Sequence, residues 1–541
     1  ALVQSVQAEQ LPTQLFLRHS ARPPVAAALH AAMATPVLLV TDRADHGLAI
    51  AEELELWAPK AARLIFPEPN PLFYEQAAWG DTTRRERLLV LTTLASYHIP
   101  GTVLPETPPL IIASARALMT RSMPRREFLK NSRTLQRGQI ARQEDYLRNW
   151  LRLGYSVVNT VIAPGQVARR GGILDVWPHA EAFPHRLEFF GDEIETIRRF
   201  DPATQRTLSN SGSPPSSSRA RAQQPEARRI LVTPAREYLL PSNLSTGNSE
   251  GTGLQSLSGL AETFSEFDIP RLHRQPASLL DYLPENTLIL IDEFQALEDI
   301  VAEIEEQAVK LRQNLVANHT LAADFPIPYL TWDELRDSFE RHRTLELGPS
   351  GASEGEEIGT IENHEVNRLL SLAERFQAGP RFAGRLKPAM DHILQEAQAG
   401  RLITVISRQA ARLHELWIEQ MQMVPANSLQ STPNFVEGSL SEGWVFQPTS
   451  GPTINLLSDG ELFGWRRPKP RFRRSERYAI AAEDPEASYS DLRAGDYVVH
   501  VDHGIGRYSG LVQRTVDKLE REYLQIEYAD DAQLFVPVHQ V

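Results

Sequence analysis

Three places in this 541-residue sequence hold residue types that could do chemistry. The first is the loop Thr41-Asp42-Arg43-Ala44-Asp45-His46-Gly47, which follows the apolar run "PVLLV" and precedes an amphipathic stretch. In nucleotide-binding α/β domains such a strand–loop–helix junction cradles phosphates through Gly-x-x-x-x-Gly-Lys-Ser/Thr. Here the loop offers one glycine, no lysine and two carboxylates, Asp42 and Asp45, which would repel a triphosphate. The second is Asp292-Glu293 after "LILI", the arrangement of a magnesium-binding acidic motif. Without a phosphate cradle these carboxylates have nothing to act on. They are expected to cap the helix that follows, since a helix N-terminus favours negative charge. The third is His500, Asp502 and His503 in "VVHVDHGIGRY". His500 and Asp502 share one side of a strand, whereas His503 sits at a turn beside Gly504, so a fourth ligand is missing. The expectation is no catalytic residue, no cofactor and no metal.

The elements around these residues read as layered α/β structure. "PVLLV", "PPLIIAS" (108–114), "TLILIDEF" (287–294) and "RLITVIS" (401–407) are short apolar runs, each leading into a helical pattern, the signature of parallel strands. Segments 155–200 and 495–541 instead alternate and carry turn signals, so they should be β-rich. In the second, a Gly-Ile-Gly turn at 504–506 should join two strands, with a further hairpin turning at Ala529–Asp531. Ser/Gly/Pro-rich stretches at 209–227, 241–253 and 348–359 read as loops or boundaries. "WRRPKPRFRRSER" (465–477), with seven basic residues and one acid, reads as a basic linker.

The bulk numbers bound the rest. A chain that is 42% hydrophobic and 23% charged fits ordinary globular domains. A net charge of −13 argues against wholesale nucleic-acid coating. There is no cysteine, which excludes disulfides and thiolate metal sites and fits a reducing cytoplasm. No apolar run approaches the ~20 residues needed to span a bilayer, and no secretory signal opens the chain. The cytoplasm is the expected location. Ala1 at the start and the strand-like "QLFVPV" near the end suggest a piece of something longer.

The most informative stretch is "GQVARRGGILDVWPHAEAFPHRLEFFGDEIETIRRFDPATQRTL" (165–208). In "HRLEFFGDEIETI", Leu187 and Phe189 alternate with Arg186, Glu188 and Phe190, so the second set shares one strand face. Arg and aromatic residues together suggest a binding patch; the competing reading is a surface ion pair with Phe190 tucked under a loop. This segment resembles the UvrA-contacting domain of UvrB and, more closely, its relative in the transcription-repair-coupling factor (Mfd) family. The resemblance continues through "FPEPNPLFYEQAAWGDTTRRERLLVLTTL" (66–94), "LSEGWVFQPTSGPTINLLSDGELFGWRRPKPRFRR" (440–474) and "LRAGDYVVHVDHGIGRYSGL" (492–511), in the family's order.

What the resemblance implies is the family's N-terminal half, ending before the translocase motor. The implied fold is α/β multidomain, with a degenerate P-loop-type, UvrB-like parallel domain, a β-rich insertion, a further α/β domain and a small C-terminal Tudor-like β-barrel. The implied boundaries are 1–120 and 209–347 for the two parts of the UvrB-like domain and 121–208 for the UvrA-binding insertion. A structural α/β domain follows at 360–464, a linker at 465–490 and an RNA-polymerase-interacting, CarD-like domain at 491–541. By the same resemblance Arg170, Arg186 and Phe190 would contact UvrA. Tyr508, Leu511, Val512 and Arg514 lie on the strand expected to meet the polymerase β subunit by β-augmentation. The implied function is a noncatalytic adaptor that joins stalled RNA polymerase to UvrA, with ATP, magnesium and most DNA contact belonging to the absent motor. The alternatives are a UvrB-like ATP-dependent DNA-damage helicase and a CarD-type transcription regulator.

Overall fold

The computed structural model describes residues 14–100, 102, 104–208, 229–239, 264–348, 372–422, 429–464, 495–500, 504–516, 519–528 and 533–537. They fall in two compact units, Ala1–Phe200 with Thr207–Phe472, and Asp201–Arg206 with Arg473–Val541. The stretches 209–227 and 241–253 and the basic linker lie outside the described residues, as does most of the acidic boundary at 348–359.

The first unit begins with helix α1 (Arg22–Ala31), whose prolines at the first turn suit a helix start. Strand β1 (Val37–Thr41) runs into α2 (Ala44–Trp57). Then come β2 (Arg63–Phe66), α3 (Asp81–Ser96) and β3 (Leu110–Ser114). The chain next leaves the sheet for an insertion, then returns through β11 (Leu288–Ile291), the long helix α5 (Phe294–Ala317) and β12 (Arg343–Glu346). The strand order is β12-β11-β1-β3-β2, and every pairing is parallel. All residues of β1, β3 and β11 are buried, as expected for a parallel sheet covered on both faces. Gly47, in the first turn of α2, lets the helix settle on this sheet. A Cβ there would stand 3.0 Å from Thr41 Oγ1 and 3.2 Å from Ile112 Cγ2.

The insertion contains β4 (Arg133–Gln136), paired antiparallel with β10 (Arg229–Val232), and α4 (Gln143–Arg152). Between them a five-stranded sheet is made of β5 (Ser156–Val157), β6 (Gln166–Arg170), β7 (Ile173–Val176), β8 (His185–Phe190) and β9 (Glu193–Arg199), in sequential order. Leu174, Val176, Leu187, Ile194 and Ile197 share one face, the last two brought together by a register shift opposite Glu188 and Phe189, and form a core with Leu147 and Trp150 of α4. The return segment after β10 is fastened by Arg87 and Glu237. Both side chains are fully buried, with Arg87 Nε 2.6 Å from Glu237 Oε1 and its guanidinium stacked over Phe66 and Trp79.

A second sheet follows: β13 (Phe376–Ala378), β14 (Leu402–Ser407), β15 (Asn434–Glu437), β16 (Trp444–Phe446) and β17 (Ile454–Ser458), in the order β13-β16-β17-β14-β15. It rests on α2, where Trp444 stacks on Trp57 and Glu53 accepts the Ser441 amide at 2.9 Å.

The second unit holds an antiparallel meander of β18 (Tyr497–His500), β19 (Gly504–Val516), β20 (Leu519–Glu527) and β21 (Gln533–Pro537). The four strands pair in sequential order, and no pair that would close them into a barrel is present among the described residues. The expected Gly-Ile-Gly turn is corrected: Gly504, Ile505 and Gly506 pair with His500, Val499 and Val498 and so lie within β19. Gly506 serves packing instead, since a Cβ there would run into Ile526 Cγ2 and the Tyr528 ring. The hairpin around Ala529–Asp531 agrees with the pairing of β20 and β21, although the turn itself is not described.

Candidate partner-binding sites

The crevice at the carboxyl ends of β1 and β11 is where open α/β sheets bind ligands. Here it is filled by charged side chains of the chain itself. Arg22, at the start of α1, reaches Asp292 Oδ2 at 2.8 Å and Glu293 Oε1 at 2.7 Å, and its Nε donates to the Leu17 carbonyl at 3.1 Å. The expectation that Asp292 and Glu293 cap α5 is therefore corrected. Glu293 is the N-cap residue without a side-chain cap bond, and Glu346 Oε1 accepts the Phe294 amide at 2.9 Å. The physical reason is that a buried guanidinium offers each carboxylate a charge-assisted bond, stronger than a partial helix charge.

His46 closes the crevice from the other side. Its Nδ1 lies 2.9 Å from Asp42 Oδ1 and its Nε2 3.7 Å from Asp292 Oδ2. That hydrogen bond raises the imidazole above its ordinary pKa and holds Asp42 below the usual carboxylate range. His19 adds Nε2 at 3.5 Å from Glu293 Oε1, and burial pushes its pKa down. Beside the loop a cavity of about 530 Å³ is rimmed by Asp42, Asp45, Glu68 and Glu303 against Arg43 and Arg116. Its rim carries more acid than base, which opposes phosphate binding.

In the insertion, the face of the sheet opposite the core holds the residues singled out earlier. Phe190 ends β8 and is 80% exposed, not tucked under a loop. It opposes Glu193 across a tight turn in which Gly191 takes φ +62°. Arg170 ends β6 beside the turn Gly171–Gly172 and donates to the Asn159 carbonyl and Thr160 Oγ1 from an exposed position. The two hairpin tips lie at the same end of the sheet, joined by the Phe189 amide donating to the Gly172 carbonyl at 2.8 Å. Ile140, 76% exposed, bridges to Glu193 and enlarges this apolar tip; nothing in the sequence pattern singled it out.

Arg186 is placed differently. Its Nε and Nη2 each donate to Asp175 at 2.8 Å, and its guanidinium stands 4.5 Å from the Phe200 ring. Asp175 is 1% exposed, and the pair holds the guanidinium charged, with its pKa raised above the ordinary value. Arg186 and Phe190 do share one strand face, as the alternation predicts, but one is committed to an internal ion pair and the other is free.

In the terminal sheet, Tyr508 is 5% exposed and pairs with buried Ile526, while Val512 is half-buried and opposite Tyr523. The backbones of Leu511 and Arg514 pair with Leu524 and Arg521; their side chains are outside the described residues. Beyond Tyr508, β19 is paired on the β20 side alone among the described residues.

The family model described as the UvrB interaction domain matches residues 134–213, and that described as the CarD-like/TRCF RID domain matches residues 492–541. Over 98% of its length the chain is 26% identical to a transcription-repair-coupling factor of Bacillus subtilis, covering 45% of that relative. The corresponding protein of Myxococcus xanthus is 27% identical over 99% of the chain and 45% of the relative. For that of Staphylococcus aureus (strain MRSA252) the values are 23%, 93% and 42%. The chain thus spans a little under half the length of these relatives, and the resemblance read from the sequence is borne out.

Proposed function

We propose that this chain is the noncatalytic adaptor portion of a transcription-coupled repair factor, recruiting UvrA through the insertion and gripping the β subunit of stalled RNA polymerase through its C-terminal sheet. The observation that carries this reading is that one chain pairs a UvrB interaction domain with a CarD-like/TRCF RID domain. Phe190 and Arg170 at adjacent hairpin tips are the contact residues, and Arg186 holds the strand that presents Phe190. The stretch of β19 beyond Tyr508, paired on one side among the described residues, supports β-augmentation by the polymerase, with Leu511, Val512 and Arg514 reading register and Tyr508 anchoring the strand from inside. An unpaired edge with a partner also avoids the aggregation hazard of a bare one.

On this reading the domain order follows that implied by the resemblance, and ATP, magnesium and DNA translocation belong to a motor elsewhere in the relatives. A helicase of the UvrB type would need the phosphate cradle, and the crevice holds Asp42, Asp45 and an internal Arg22 pair instead. A regulator of the CarD type would use the last 50 matched residues alone. The test is UvrA pulldown. Phe190→Ala should weaken binding about thirtyfold, the cost of an aromatic anchor worth roughly 2 kcal/mol. Wild-type binding by a folded Phe190→Ala, Arg170→Ala double variant would remove the UvrA assignment.

A further inference from the structure

We infer that His19, His46 and Asp292 form a binding site for a borderline divalent transition metal, with zinc as the reference ion. This departs from the sequence reading, which expected no metal, and is independent of the adaptor role. One ring nitrogen of each histidine and one carboxylate oxygen of Asp292 lie within 4.8 Å of one another. Around a tetrahedral zinc with bonds of about 2.0–2.1 Å, donor atoms stand roughly 3.4 Å apart, so closure needs a shift of about an ångström. His19 can supply it, because its side chain is 68% exposed on a short turn.

Two further features point to an ion rather than to an ordinary ion-pair cluster. Asp42 bonds Nδ1 of His46 at 2.9 Å and leaves Nε2 directed at Asp292, 3.7 Å away. That is the carboxylate–histidine relay that fixes the tautomer and orientation of metal-bound imidazoles. In addition, Asp292 Oδ1 is buried and has no hydrogen-bond partner, although the residue is 2% exposed. An orphaned carboxylate oxygen at this depth is costly, and a cation would satisfy it.

The charge count agrees. With both histidines neutral, Asp42, Asp292 and Glu293 outnumber the cations that face them, Arg22 and, at Asp42, Arg43, so the cluster keeps a net negative charge that favours a cation. Two imidazoles and a carboxylate suit zinc, cobalt or nickel, whereas magnesium and calcium prefer all-oxygen sites. Arg22 already donates to Asp292 Oδ2, the oxygen 3.7 Å from His46 Nε2, so the ion would draw on Oδ1 or share Oδ2 with the guanidinium. Bound metal would tie the segment before α1 to the carboxyl end of β11.

The experiment is isothermal titration of the chelator-treated 541-residue chain with zinc chloride, with cobalt(II) absorption as a check on coordination. One equivalent should bind, and His19→Ala and His46→Ala should each weaken it at least tenfold with the melting curve before metal unchanged. Asp42→Asn, which removes no ligand, should weaken binding about 10- to 100-fold through the relay. No stoichiometric zinc binding by the wild type would overturn the assignment, as would binding of equal strength in a folded His19→Ala variant.

Discussion

Removing the Arg186 guanidinium should unsettle the insertion sheet itself before it affects any partner. The side chain makes two 2.8 Å bonds to Asp175, which is 1% exposed on the neighbouring strand β7. Arg186→Ala leaves that carboxylate buried without its cation, and breaking a buried pair from one side costs about 3–5 kcal/mol. The lost stacking on Phe200, at 4.5 Å, adds to this in the same direction. In a multidomain chain a single melting temperature blurs a local change, so the assay is amide hydrogen exchange along β7 and β8. A loss of about 4 kcal/mol corresponds to exchange roughly a thousandfold faster, up to the limit set by unfolding of the insertion. Phe190→Ala should leave the same amides unchanged, since that ring is 80% exposed. The double variant Asp175→Leu, Arg186→Met should recover much of the loss, because apolar replacement of both members of a buried pair is often neutral. Exchange in Arg186→Ala within tenfold of wild type would refute the reasoning and return Arg186 to the list of direct contacts.

Three further outcomes follow from the geometry. Gly506→Ala should overpack the terminal sheet against Ile526 and Tyr528 and cost about 1–3 kcal/mol, read as a lower melt and weaker binding to the polymerase β-subunit lobe. Acid should loosen the insertion: burial lowers the His179 and His185 pKa values from 6.5 to about 3. The unfolded chain therefore binds the extra protons first, so stability is complete above pH 6.5 and falls as pH drops toward 3, by about 2 kcal/mol per histidine at pH 5. His179→Gln and His185→Gln should flatten the acid limb of an insertion stability curve, and an unchanged limb would count against both. The purified chain should not turn over ATP, because the loop 41–47 lacks lysine and Asp292 is held by Arg22; turnover abolished by Asp292→Ala would reverse this.

What could be read from the sequence is what local periodicity carries. The parallel strands at 37–41, 110–114, 288–291 and 402–407 were legible because apolar runs beside helical patterns leave few other packings. The shared face of Arg186 and Phe190 was legible because a strand repeats every two residues. The charged partners were not. Arg186 meets Asp175 from an adjacent strand, and Arg22 meets Asp292 across a separation of 270 residues, distances at which no spacing rule applies.

The misplaced helix cap shows why this matters for the crevice. Asp292 and Glu293 stand beside the start of α5, and electrostatics alone would send either there. Arg22 wins them because its side chain is 3% exposed and can bond both carboxylates at once, while Glu346 is left to take the Phe294 amide. A strand-end acidic pair needs a nearby positive charge, which a phosphate-binding site obtains from its lysine and its magnesium. This chain has no lysine in the loop and supplies a guanidinium from α1 instead, so one unit of the carboxylates' charge is offset from within. The strand ends of the α/β layers are thus held together by an ion pair that the chain itself supplies across 270 residues.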